Sequence, residues 1–169
     1  MGERRTWEFS GIRIDTRNWP LVVMDMPERA VPDAAVHGAL SRLELLMRQT
    51  PAGTKLYQVT DLSRMQDVAP ASQRKYAAEW STRTEPLMVG CLLGGAIVAA
   101  SPLLGGMLTA VFWLSKPATP TTIVSTRREG LLCGIHAIEE ATPPLPAHLS
   151  DLRDRLMASP RTGAVSWSR

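Results

Sequence analysis

A mixed α/β fold is predicted: one sheet of about five strands with helices mainly on one face, in the order β-β-α-β-α-β-α-β-α, followed by a C-terminal amphipathic helix. Three observations carry this. Segments of strand-like and helix-like apolar spacing alternate along the 169 residues, which implies parallel neighbours joined by right-handed crossovers. Proline, acidic and capping residues stand where most helices should begin. Pro86 to Ser115 contains no charged residue, so the strand within it should lie inside the sheet, apolar on both faces.

Trp7, Phe9, Ile12 and Ile14 alternate with a slip near Gly11, which predicts a first strand with a bulge. Asp15 to Asn18 is turn chemistry, and Trp19 to Met26 is a second apolar strand, so the two should form a hairpin. Pro20 favours the start or the edge of that strand. Pro32-Asp33 opens a helix whose buried face is Val36, Leu40, Leu43 and Met47, at helical spacing. His37 lies beside this stripe as a partly exposed helix residue. Lys55 to Leu62 is the third strand, and Pro70 begins a second helix that runs through Arg83.

The uncharged stretch divides at Ser101-Pro102, an N-cap followed by proline at the first helical position. Met88 to Ala100 is then a buried strand with its flanking loop, and Leu103 to Leu114 a short helix, apolar nearly all round. Read unbroken, the stretch would be long enough for a membrane span, and Gly90 and Gly94 have the spacing of packed membrane helices. The Ser-Pro break and the glycines argue against a span. Thr121 to Ser125 is the last strand. Thr126 and Glu129 have capping-box spacing, so a helix starts there, with Leu131, Ile135 and Ile138 on its buried face.

Residues 1–142 are thus assigned to one domain. Residues 143–169 form a proline-rich linker, a short helix and a flexible tail. Leu149, Leu152 and Leu156 share one face of that helix, which is too short to stand alone in water. It must dock on the domain, on another copy or on a partner. Trp167 in the tail is read as incidental rather than as an anchor.

The net charge of +3 comes from 19 basic and 16 acidic residues scattered along the chain, which leaves no footprint for nucleic acid. The two cysteines, Cys91 and Cys133, lie in apolar segments and read as reduced core residues of a cytoplasmic protein. The first residues lack a signal-peptide core. Met1-Gly2 with Thr6 meets a loose myristoylation pattern, which is often met by chance.

No phosphate loop, dinucleotide fingerprint or nucleophile elbow occurs in the sequence. The three histidines, His37, His136 and His148, are too far apart in sequence to suggest a metal site. Cys133 and His136 are one helical turn apart, but Cys133 follows two leucines and fits the core better than a nucleophile. Glu139 and Glu140 are adjacent and point apart. The expectation is therefore no catalysis, no metal and no cofactor. One loop stands out: Asp61-Leu62-Ser63 ends a strand and leads through Asp67 to Pro70, at the edge where α/β sheets usually bind. Asp61 and Ser63 either serve a binding surface or merely cap turns.

At these residues the chain resembles the STAS family and its SpoIIAA-like relatives, over about Trp7 to Ala141. The resemblance rests on the element order, on Asp61-Leu62-Ser63 after the third strand, and on an apolar strand, Ser101-Pro102 and an apolar helix ending in Phe112-Trp113-Leu114. It implies a small non-catalytic regulator that works by protein–protein contact. Such regulators carry a phosphorylated serine in an Asp-Ser-Ser-Gly-like motif. Asp67-Val68-Ala69-Pro70 stands at the matching place here, and Ser63 and Ser72 lie near it but not on it. The expected role is thus a binding or assembly module without the switch. Its surface would be Asp61, Ser63 and Asp67 on the loop, Arg74, Tyr76 and Trp80 on the second helix, and Leu149, Leu152 and Leu156 on the tail helix. The protein partner is unspecified, and a homodimer is left open. Arg74, Lys75, Glu79 and Arg83 otherwise form a solvated face. The alternative is a carrier of an apolar small molecule or lipid, with Gly94, Gly95, Gly105 and Gly106 leaving room for it. Close backbone packing explains the same glycines.

Overall fold

The computed structural model describes residues 5–66, 68–102, 105–106, 108 and 117–158. Six strands form one mixed sheet in the order β1-β2-β3-β4-β5-β6. These are β1 (Thr6–Phe9), β2 (Ile12–Asp15), β3 (Leu21–Asp25), β4 (Leu56–Asp61), β5 (Leu92–Val98) and β6 (Thr121–Val124). The helices whose bounds lie among the described residues are α1 (Asp33–Arg48), α2 (Ala71–Cys91), α3 (Arg127–Ala141) and α4 (Ala147–Ala158). The first three strands are antiparallel neighbours; β3 to β6 run parallel.

The first expected strand is two strands. Ser10 and Gly11 both take positive φ, 47° and 97°, and Phe9 pairs directly with Ile12. Two central residues at positive φ make a tight hairpin turn matched to strand twist. The slip near Gly11 therefore marks this turn rather than a bulge, which brings the sheet to six strands among the described residues, close to the about five expected. Pro20 stands one residue before β3, where its carbonyl accepts from the Tyr57 amide at 3.1 Å.

The second helix does not stop at Arg83 but continues to Cys91, through Pro86. Trp80, Thr84, Met88 and Cys91 are buried at helical spacing, a continuous stripe against the sheet. Proline removes one helical N–H, but Thr82, whose carbonyl loses its donor, is exposed and water can replace it. The stripe outweighs the defect. As a result β5 begins at Leu92 rather than Met88. It lies between β4 and β6, inside the sheet as its lack of charge requires.

The expectation of helices mainly on one face is corrected. Right-handed connections between β3, β4 and β5 place α1 and α2 on one face. That core contains Ile12, Val22, Leu43, Leu46, Leu56, Trp80 and Met88. Among the described residues no strand follows β6, and α3 folds back across the opposite face. There Leu131, Ile135 and Ile138 meet Leu21, Val23, Tyr57, Val59, Ala96 and Val98. The alternation along β3 and β4 fits two covered faces: Val22 and Leu56 point to one core, Leu21, Val23 and Tyr57 to the other.

Tight contact fixes α3. A Cβ at Gly134 would come within 2.5 Å of Leu21 Cδ1 and 2.7 Å of Tyr57 Cδ1. The capping box forms as expected, with Thr126 Oγ1 accepting from the Glu129 amide at 3.2 Å and Glu129 Oε2 accepting from the Thr126 amide at 3.1 Å. The short α4 docks on this same core, where Leu149 is fully buried. Arg153 pairs with Glu139 of α3 at 2.9 Å, and Arg128 donates to the Leu156 carbonyl at 2.7 Å.

Among the described residues no helix is long and apolar enough to cross a membrane. Most of the expected helix Leu103 to Leu114, with Phe112-Trp113-Leu114, lies outside the described residues, as do Asp67 and the tail with Trp167.

Candidate functional site

Two neighbouring features occupy the C-terminal edge of the parallel strands. The first is ionic. Asp25 and Asp61 end β3 and β4 and pair in register, so both side chains lie on one face. They follow Val23 and Val59 by two residues, which is the α3 face. The capped N-terminus of α3 brings Arg127 onto them. Its Nη1 donates to Asp25 Oδ1 and, at 2.8 Å, to Asp61 Oδ2. Arg13, opposite Asp25 on β2, donates to Asp25 Oδ2 from Nε at 2.9 Å and from Nη2 at 2.6 Å. The Ser63 amide donates to Asp61 Oδ1 at 2.9 Å.

Asp61 is only 6% exposed. Burial pushes its carboxyl up, but hydrogen bonds from Ser63 and the Arg127 guanidinium overcome this and hold it below the usual carboxylate range. It stays ionised and fully engaged. A polar cleft of about 650 Å³ opens beside the cluster, lined by Glu8, Glu28, Ser63 and Arg64 together with the ion-paired residues.

The second feature is apolar. On the other face of the sheet, a cavity of about 350 Å³ lies between β2, β3 and β4, helices α1 and α2, and the loop after β4. Its walls are Ile12, Met24, Met26, Val36, Ala39, Leu40, Leu62, Met65, Val68, Ala69, Ala77 and Leu108, with Thr60, Gln73 and Arg74 as its few polar residues. Small side chains at Ala39, Ala69 and Ala77 leave the space. Three methionines give it walls that can adapt in shape. Gln73 is buried in the wall and ties α2 to the start of α1: its Nε2 donates to the Val31 carbonyl at 2.7 Å and to Asp33 Oδ1 at 2.9 Å. The volume falls within the roughly 300–1,000 Å³ of small-molecule sites.

Of the loop residues proposed from the sequence, Asp61 is buried in the ionic cluster and Ser63 is exposed. The Ser63 amide closes a local turn onto Asp61, the capping role. Arg74 is exposed at the cavity rim; Tyr76 is half-buried against His37, ring centroids 3.7 Å apart. Trp80 and Leu149 are buried, and Leu152 and Leu156 are half-buried against the second core. Trp80 and Leu149 are therefore packing residues in this fold and present nothing to a partner. Cys133 lies half-buried beside the second core, and His136 faces Glu140 at 3.4 Å on the exposed side of α3.

Gly94 and Gly95 do not make the cavity, and a Cβ at Gly105 or Gly106 would meet nothing within 4 Å among the described residues. A Cβ at Gly94 would meet the Pro120 carbonyl oxygen at 2.6 Å, and one at Gly95 the Gln58 carbonyl oxygen at 3.1 Å, so both serve close strand packing. Sequence reasoning missed the alanine and methionine walls. The available signal was the group Met24, Met26 and Met65 near the ends of two adjacent strands.

These features define an α/β protein with a paired charged cluster and a polar cleft on one face of the sheet and an apolar cavity on the other. No protein-family model matches this chain, and no curated protein matches it.

Proposed function

We propose that this protein is a non-catalytic binding module that holds an apolar small molecule or a lipid chain in the cavity between the sheet, α1 and α2. The observation that carries the reading is the near-absence of polar lining in a cavity of about 350 Å³ that opens at the sheet edge. Filling it with hydrocarbon removes apolar wall from water and gains roughly 0.8 kcal/mol per buried methylene.

The test uses the full chain and a neutral fluorescent probe, N-phenyl-1-naphthylamine. Saturable binding with one site per chain is expected, and Ala77→Phe and Ala39→Phe, which fill the space, should abolish it while the circular dichroism spectrum is kept. Absence of saturable binding, or binding that both variants leave unchanged, overturns the proposal.

A regulatory role through protein contacts, as the STAS resemblance implies, is a second reading. The observation favouring it is Val68, which lines the cavity and is also 49% exposed. A partner touching this loop would touch the cavity wall. Val68→Asp should then weaken capture of that partner in the host, and unchanged capture would remove the reading.

A further inference from the structure

We infer that the cavity's ligand is a single-chain amphiphile with one negatively charged head, a fatty-acid carboxylate being the simplest, and that Arg74 receives that head. The inference rests on the cavity being a ligand site, as proposed above.

Four observations converge. Among the described residues lining the cavity Arg74 is the one that is charged, and it lies at the rim on the exposed side of α2. A smaller recess adjoins the cavity through Met26, Met65, Val68, Ala69 and Gln73, and it adds Arg29 and Glu28. Glu28 is engaged by Gln66 Nε2 at 2.5 Å. Among the described residues neither Arg29 nor Arg74 takes part in an ion pair.

Arg74 thus presents a positive charge directly at the edge of an apolar interior, and among the described residues its guanidinium is tied only to the Ala69 carbonyl, through Nη1 at 3.3 Å. That contact keeps the guanidinium at the mouth and leaves its other N–H groups to donate. A carboxylate accepts such a planar fork in bidentate fashion. The volume suits one chain rather than the two of a membrane phospholipid. A cationic head would meet Arg74 at the cavity and be repelled.

The experiment titrates dodecanoate, dodecan-1-ol and dodecyltrimethylammonium, each below its aggregation limit, against the full-length protein at pH 8 and low salt. Displacement of N-phenyl-1-naphthylamine is the readout, on the wild type and on Arg74→Gln and Arg29→Gln. Dodecanoate should bind roughly tenfold more tightly than the alcohol, the size expected of a charge-assisted hydrogen bond at a partly exposed site. Arg74→Gln should remove most of that advantage; Arg29→Gln should remove a smaller part, and added salt should weaken the acid more than the alcohol. Equal affinity of acid and alcohol, preference for the cation, or an advantage that survives Arg74→Gln overturns the inference while leaving an apolar site intact. Failure of all three compounds overturns the apolar site itself.

Discussion

Asp25 and Asp61 stand directly across from each other at the ends of two parallel strands, and a single guanidinium from the far end of the chain bridges them. Two carboxylates in register would repel if left alone. Arg127 turns the repulsion into a clasp that ties the first turn of α3 to the sheet edge, and Arg13 completes the neutralisation of Asp25.

Arg127→Gln should destabilise the protein at pH 7 by about 2–3 kcal/mol. A fully buried pair costs roughly 3–5 kcal/mol when one partner is removed, and the figure is reduced because the Arg127 side chain is 38% exposed. Urea unfolding measures it. A loss under about 0.5 kcal/mol would place the clasp among weak surface pairs.

The same clasp has a pH signature. Asp61 and Asp15 both sit below the usual carboxylate value, burial opposing and Ser63 with Arg127, or Arg17, prevailing. A depressed folded pKa gives stability that is complete above the unfolded value of about 3.9 and is lost as pH falls through the folded one. In Arg127→Gln, burial acts on Asp61 with less opposition, so the acid-unfolding midpoint should move to higher pH. Circular dichroism across pH 2–6 checks this; a midpoint unmoved in the variant would separate Asp61 from acid stability.

Two glycines should respond in opposite directions to alanine. At Gly134 the new methyl collides with Leu21 and Tyr57, and overpacking of about 1–3 kcal/mol outweighs the helix-propensity gain. At Gly90, in the last turn of α2, nothing lies within 4 Å of the new atom, so Gly90→Ala should stabilise by about 0.5–1 kcal/mol. Thermal melts of both variants give the signs directly.

Trp80 buries its indole nitrogen without a protein acceptor among the described residues. An unmet donor costs about 1–3 kcal/mol, so Trp80→Phe should lose less than about 1 kcal/mol even though it removes volume. Trp80→Ala should lose about 3–5 kcal/mol. A loss above about 2 kcal/mol in the phenylalanine variant would mean that the indole N–H has an acceptor after all.

Leu149 carries the docking of α4. Its side chain is fully buried with Ile135 and Ile138, and Leu149→Ala should cost about 2–4 kcal/mol. Met157, on the same helix, is 62% exposed, and Met157→Ala should fall within about 0.5 kcal/mol of wild type. Equal losses in the two would contradict the docking geometry.

By itself the sequence determined the successions α1-β4-α2-β5 and β6-α3, the helix starts at Asp33, Ala71 and Arg127 to within a residue or two, the inner position of β5 and the capping box. These depend on spacing, caps and charge within a few residues of one another, so short stretches suffice to read them. The tertiary structure alone decided what depends on distant partners. The burial of Trp80, Thr84, Met88 and Cys91 carried α2 past Pro86, against a local rule that proline and glycine break helices. The completion of the parallel sheet by β6 sent α3 to the opposite face. Asp61, legible only as a loop residue, became a buried partner of an arginine 66 residues away. The cavity is further still from sequence: it is space left between side chains of two helices, three strands and a loop, and only their joint placement brings Ala39, Ala77 and Met24 around one void.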